Sequence, residues 1–130
     1  MDLITSAIVT ALVSGVTSGM SEASKKMILD GYKSIKTVLK KKCGIESEVI
    51  NNMEKLEENP NSKETKEKVE ESLEAEELKN DEELRKLARG LLEKINATSE
   101  GKSIIKKYNI DVDKIGILGD NTNIQGDMNF

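Results

Sequence analysis

The 130-residue chain has no histidine or tryptophan, one cysteine, one proline, and three aromatics: Tyr32, Tyr108 and Phe130. Each shortage removes a class of explanation. Without histidine, and with Cys43 alone, one chain cannot build a His- or Cys-based zinc site or a Cys/His or Ser/His catalytic pair. A disulfide framework is excluded too, and a lone thiol suits a reducing compartment. Scarce aromatics argue against sandwiches and barrels, whose strands draw on aromatic and β-branched residues. They also argue against single-strand nucleic-acid binding, which needs stacking platforms. No phosphate loop, nucleophile elbow or metal motif occurs. Asp111-Val-Asp113-Lys-Ile-Gly116 begins like a calcium loop, but Ile115 and Thr122 stand where an oxygen ligand and a bidentate glutamate are needed. The expectation is a protein that is not an enzyme and uses no cofactor.

What is present is helix-forming and strongly segregated by charge. Residues 25–42 hold seven lysines against Asp30, whereas residues 46–83 hold fifteen acids against five lysines. The net charge of −4 conceals both blocks. Between Leu3 and Ser21 there is no charged residue. Asp2 suits an N-cap, because its carboxylate can accept the orphan amides of a first turn. A second helix is expected from Ser21 to Cys43 on Ile28, Tyr32, Ile35 and Leu39, closed by Gly44 after three lysines. A third spans Glu46 to Glu58, ended by the turn at Pro60. A fourth runs from a Ser62 cap to about Leu78 with a thin apolar stripe, its glutamates reading as a solvated face. Asn80 with Glu83 suggests a capping box for a fifth, on Leu84, Leu87, Ala88, Leu91, Leu92 and Ile95.

The fold class that follows is all-α: an antiparallel four- to five-helix bundle over residues 1–96. A linker is expected over 97–108, with room for a short helix near Ser103–Tyr108. A flexible, amyloid-prone tail over 109–130 completes the chain.

The uncharged first helix sorts into rows of every fourth residue. Ile4, Ile8, Leu12, Val16 and Met20 form a large apolar row, and Ala7, Ala11, Gly15 and Gly19 a small one. Ser6, Thr10, Ser14 and Ser18 form a row of hydroxyls. One reading is a central helix buried by its neighbours. The other is a membrane-active helix, since small residues spaced by four allow close packing in lipid. Nineteen residues would span about 28 Å, near a bilayer's hydrocarbon thickness. Seven Leu, Ile and Val residues favour insertion by roughly 2–4 kcal/mol, which nine Ser, Thr and Gly residues largely offset, so insertion depends on assembly. An acidic start and interrupting hydroxyls do not fit a secretory signal. On the membrane reading, Lys25, Lys26, Lys33, Lys36, Lys40, Lys41 and Lys42 would contact anionic headgroups. Nucleic acid is a poor rival partner, given the overall acidity and the lack of a reading motif.

The tail places Ile115 and Ile117 on one strand face, and Ile124, Met128 and Phe130 on another. Asn121, Asn123 and Gln125 would stack amide over amide in an in-register assembly of copies, with Gly126 permitting a turn. These nine residues are the candidate amyloid core.

Met1-Asp-Leu-Ile-Thr-Ser-Ala-Ile-Val-Thr-Ala-Leu12, with Lys25-Lys-Met-Ile-Leu-Asp-Gly-Tyr-Lys-Ser-Ile-Lys36 and Lys41-Lys-Cys-Gly44, resembles the prokaryotic Bell domain. That family is related to the fungal HeLo and HELL domains and to the necroptosis executioner's four-helix bundle. The tail Gly119–Phe130 is similar to amyloid signalling motifs, and Ile124-Gln-Gly126 resembles the core of the animal RHIM without its intervening hydrophobic residue. The resemblance implies a cell-death effector that permeabilises membranes once an NLR-like sensor ATPase with a matching motif templates its tail. Its partners would be itself, that sensor and an anionic membrane. It would be cytoplasmic at rest and move to the cell membrane on activation. The alternative is a soluble helical adaptor recruited through its tail.

Overall fold

A computed structural model of the chain describes residues 1–110, in which six helices and no strand occur. They are α1 (Leu3–Gly15), α2 (Glu22–Cys43), α3 (Glu48–Glu58), α4 (Lys63–Ala75), α5 (Glu82–Asn96) and α6 (Ser99–Lys107). The all-α class expected from the sequence is what forms. The candidate amyloid core, residues 115–130, lies outside the described residues.

Every helix begins on a side chain that accepts an orphan amide hydrogen. Asp2, Ser21, Ser47, Ser62, Asp81 and Thr98 accept from Thr5, Ser24, Ile50, Thr65, Leu84 and Gly101 respectively. Three boundaries differ from the sequence reading because of these caps, the first at α3, which starts at Glu48 rather than Glu46 after its Ser47 cap. Helix α5 is capped by Asp81 rather than Asn80, its Oδ2 lying 3.0 Å from the Leu84 amide. Helix α6 starts at Ser99, inside the expected linker, because Thr98 Oγ1 accepts from the Gly101 amide at 2.9 Å. Glu77 at φ 59° closes α4 earlier than expected, with the Leu78 amide donating to the Leu73 carbonyl at 3.1 Å.

The largest departure is at α1. It ends at Gly15, six residues short of the uncharged stretch's end. Gly15-Val-Thr-Ser-Gly19 is a run of weak helix formers, and Gly19 takes φ +94°, a conformation that glycine adopts without strain. Ser21 then caps α2, so the two helices are separate. Val16, Gly19 and Met20 therefore lie beyond the helix on which they were placed.

Helix α2 runs opposite to both α3 and α5. Tyr32 and Lys36 of α2 reach Glu57, Lys36 also reaching Glu54, and Lys42 at the end of α2 reaches Asp81 at the start of α5. Helix α1 touches all five others, most extensively α5. The core gathers Ile4, Ile8, Ile28, Ile35, Leu39, Ile50, Met53, Leu56, Leu73, Leu84, Leu92 and Ile95, each essentially sealed from solvent. Leu91 of α5 comes so close to Gly31 that a Cβ there would stand 2.8 Å from its Cδ1.

Helix α6 folds back tightly on the end of α5. A Cβ at Gly101 would stand 1.8 Å from the Ile95 carbonyl oxygen and 2.5 Å from Thr98 Oγ1. The carbonyl is backbone and cannot rotate aside. Gly101→Ala is expected to destabilise the domain by about 2 kcal/mol or more through overpacking, read as a lower urea midpoint at unchanged m-value.

Candidate functional site: the buried first helix and the groups around it

Residues Leu3 to Ser14 are all buried, polar ones included. The burial of Thr10 and Ser14 is permitted by local bonds. Thr10 Oγ1 donates to the Ser6 carbonyl and Ser14 Oγ to the Thr10 carbonyl, each at 2.7 Å. Thr17 Oγ1 donates to the Val13 carbonyl at the same distance. Bonds of this kind stay within one turn of helix, so these hydroxyls need no partner from another helix. Thr5 Oγ1 donates to Asp2 Oδ2 at 2.7 Å, tightening the cap. Thr10 and Ser14 are thus polar in composition and almost apolar in their demands.

The other rows are divided by the end of the helix. Ile4, Ala7, Ile8 and Ala11 are wholly enclosed, and Leu12 nearly so. Gly15 packs near Leu29 of α2, with a notional Cβ 3.5 Å from Leu29 Cδ2, an ordinary contact. Met20 is buried, whereas Gly19 is exposed and Val16 is 60% exposed at the tip. At thirteen residues α1 measures about 20 Å, short of a bilayer's roughly 30 Å hydrocarbon core. No helix among the described residues is long and apolar enough to cross a membrane.

The seven lysines do not form one open face. Lys36 is 14% exposed, with Nζ 2.6 Å from Glu57 and 3.5 Å from Glu54. Lys42 meets Asp81 at 3.2 Å and Glu83 at 3.6 Å, and its hydrogen bond to Asp81 chiefly pushes its pKa up. Lys26 pairs with Asp30 at 3.4 Å, and Lys25 lies 4.0 Å from Glu22. Lys33, Lys40 and Lys41 are exposed and make no ion pair among the described residues. Lys36 and Lys42 are therefore answered by the acidic block, and Lys25 and Lys26 by carboxylates of α2 itself.

The composition did not reveal the junction of α2 and α3. Tyr32 is buried, and its hydroxyl donates to Glu57 Oε2 at 2.5 Å, beside the Lys36 ammonium on the same oxygen. Burial, and then the Glu57 bond, push the tyrosine pKa far up. Burial pushes the Glu57 carboxyl up, but hydrogen bonds from Lys36 and Tyr32 outweigh it and hold the group below its ordinary value. The available signal was Tyr32 itself, the sole aromatic on an otherwise aliphatic stripe. Among the described residues no cluster of Cys, Asp and Glu could hold a metal ion.

Over residues 1–129 the sequence matches the Het-E N-terminal domain. The chain belongs to that family. The Het-E N-terminal domain is a helical domain of the HeLo/HET type, associated with fungal heterokaryon incompatibility and cell death. The central helix and its helical casing are therefore those of a cell-death-related domain. No curated protein and no solved structure matches the chain.

A carboxyl whose folded pKa lies below its unfolded one adds stability above the unfolded value and loses it as pH falls through the folded value. Glu57 is such a group. Stability should therefore decline as pH drops below about 4.5, the ordinary glutamate value. Glu57→Gln should be less stable than the parent at pH 7 and show a shallower decline across that window. Urea titrations at stepped pH would read both.

Proposed function

We propose that this domain is a non-enzymatic cell-death effector that permeabilises membranes with its first helix after its tail assembles. The observation that carries the reading is the state of α1. It is buried from Leu3 to Ser14, carries no charge, and bonds the hydroxyls of Thr10 and Ser14 to its own carbonyls. Such a helix can pass from a protein core to lipid without uncovering a charge or breaking a hydrogen bond to another helix. Casing it inside the bundle accounts for a resting form without a span. Length is the remaining requirement. Insertion would need Val16 to Met20 to join the helix, which would restore the large and small rows read from the sequence.

Stacking of the residue 115–130 segment would gather many bundles at one place, raising their effective concentration without a new contact. An NLR-like sensor ATPase with a matching motif is the proposed nucleator. An anionic membrane is the target, approached through exposed Lys33, Lys40 and Lys41. The resting location is the cytoplasm, and the kinship is with Bell-type effectors. That no helix among the described residues is of membrane length favours one second reading, a soluble adaptor recruited by its tail.

One experiment separates the two. Full-length protein, polymerised through its tail, is added to dye-loaded vesicles with and without anionic lipid. The effector reading expects release from the anionic vesicles, and intact vesicles would overturn it. Gly15→Leu enlarges the small row where the fold leaves room, unlike Ala11, which is fully enclosed. That variant should polymerise normally and release much less dye, whereas an adaptor would be unaffected in every readout.

A further inference from the structure

Where α1 begins, the bundle has a cavity of about 470 Å³ whose polar lining is incompletely satisfied. Asp2 and Ser6 line it from α1, Lys79 and Arg85 from either side of the turn into α5, and Asn109 and Ile110 from the end of α6. Two of the charged groups are occupied. The Asp2 carboxylate accepts from the Thr5 amide and hydroxyl, and Lys79 pairs with Glu74 at 3.3 Å. Two donors are not. Arg85 is half-buried, and its guanidinium makes no ion pair among the described residues. Ser6 is 3% exposed, and its hydroxyl makes no hydrogen bond among them, unlike Thr10 and Ser14 further along the helix. A buried hydroxyl and a half-buried guanidinium without acceptors are costly unless something supplies oxygen atoms.

The chain itself carries the complement to this site. Asn109 at φ 56° and the Ile110 amide, bonded to the Ile105 carbonyl at 3.1 Å, turn the backbone where both residues line the cavity. The sequence then continues Asp111-Val112-Asp113. Each residue advances the chain by at most about 3.6 Å, so one and three residues beyond Ile110 the two aspartates are tethered by no more than about 4 and 11 Å of chain. Guanidinium and carboxylate match in shape as well as charge, two parallel N–H donors facing two oxygens.

We propose that this cavity is the docking site for the chain's own Asp111–Asp113 segment, whose carboxylates engage Arg85 and the Ser6 hydroxyl. The contact joins the root of the tail to the first turns of α1. Its regulatory consequence rests on the effector reading above: drawing the tail into a polymer would strip this contact from the start of α1. The docking itself stands apart from that reading.

Hydrogen exchange followed by mass spectrometry on the full chain tests it, with a synthetic peptide of residues 109–130 as the free reference. Amides of residues 111–114 should exchange about tenfold slower or more in the full chain, since a charge-assisted contact must open first. Arg85→Glu should abolish the retardation, and adding D111K with D113K to that variant should restore it. Arg85→Gln and the pair D111N/D113N serve as milder checks, with helix content followed by circular dichroism. Free-peptide rates in the parent would overturn the proposal, as would retardation that survives all these single-side changes. Retardation that grows with protein concentration would assign the cavity to another copy's acidic segment and overturn docking within one chain. No vesicle or fibre enters the measurement, so its failure is distinguishable from failure of the effector reading.

Discussion

Everything in this fold is arranged around the exclusion of water from a helix that offers water almost nothing to hold. Between Leu3 and Ser14 no side chain is charged, and every one is buried. Burying an aliphatic side chain of this size is worth about 1.5–3 kcal/mol, and α1 contributes such residues on more than one face. Five other helices are needed to cover it, which is why the bundle is larger than its thin fourth helix would suggest. A single ionised group in this stretch would have to be paired or neutralised.

The segregated charges acquire a structural meaning once the helices are placed. The basic α2 meets carboxylates at two places, Lys36 reaching Glu54 and Glu57 on α3 and Lys42 reaching Asp81 and Glu83 at the start of α5. Exposed ion pairs are individually weak. Lys36 differs, being 14% exposed and sharing the Glu57 oxygen with the Tyr32 hydroxyl. The blocks thus help set which helix faces which, and only part of the basic surface is left to meet anything else.

The helices were legible where two signals agreed. The stripe Ile28, Tyr32, Ile35, Leu39 lies between the Ser21 cap and Gly44, whose φ is +97°, and α2 occupies that interval. The last helix was less legible, because Gly101 and the polar run around it look like a linker. Only tertiary packing shows that Gly101 is there to let α6 approach the Ile95 carbonyl. The end of α1 was misread for the opposite reason. Absence of charge continues to Ser21, but helix propensity fails at Gly15-Val-Thr-Ser-Gly19, and hydropathy does not register that. The α1 rows were visible in sequence, while the cavity at Ser6 and Arg85 was not, since it joins residues seventy-nine positions apart.

The back-bonded hydroxyls and the empty charge register of α1 have one more implication. Nothing from Leu3 to Ser21 ionises, so acid has no direct grip on this segment, and dissolved salt has no field within it to screen. Chemical conditions can reach the central rod only by loosening the elements that encase it. Whatever frees it must work as leverage on the casing, applied from outside the helix itself.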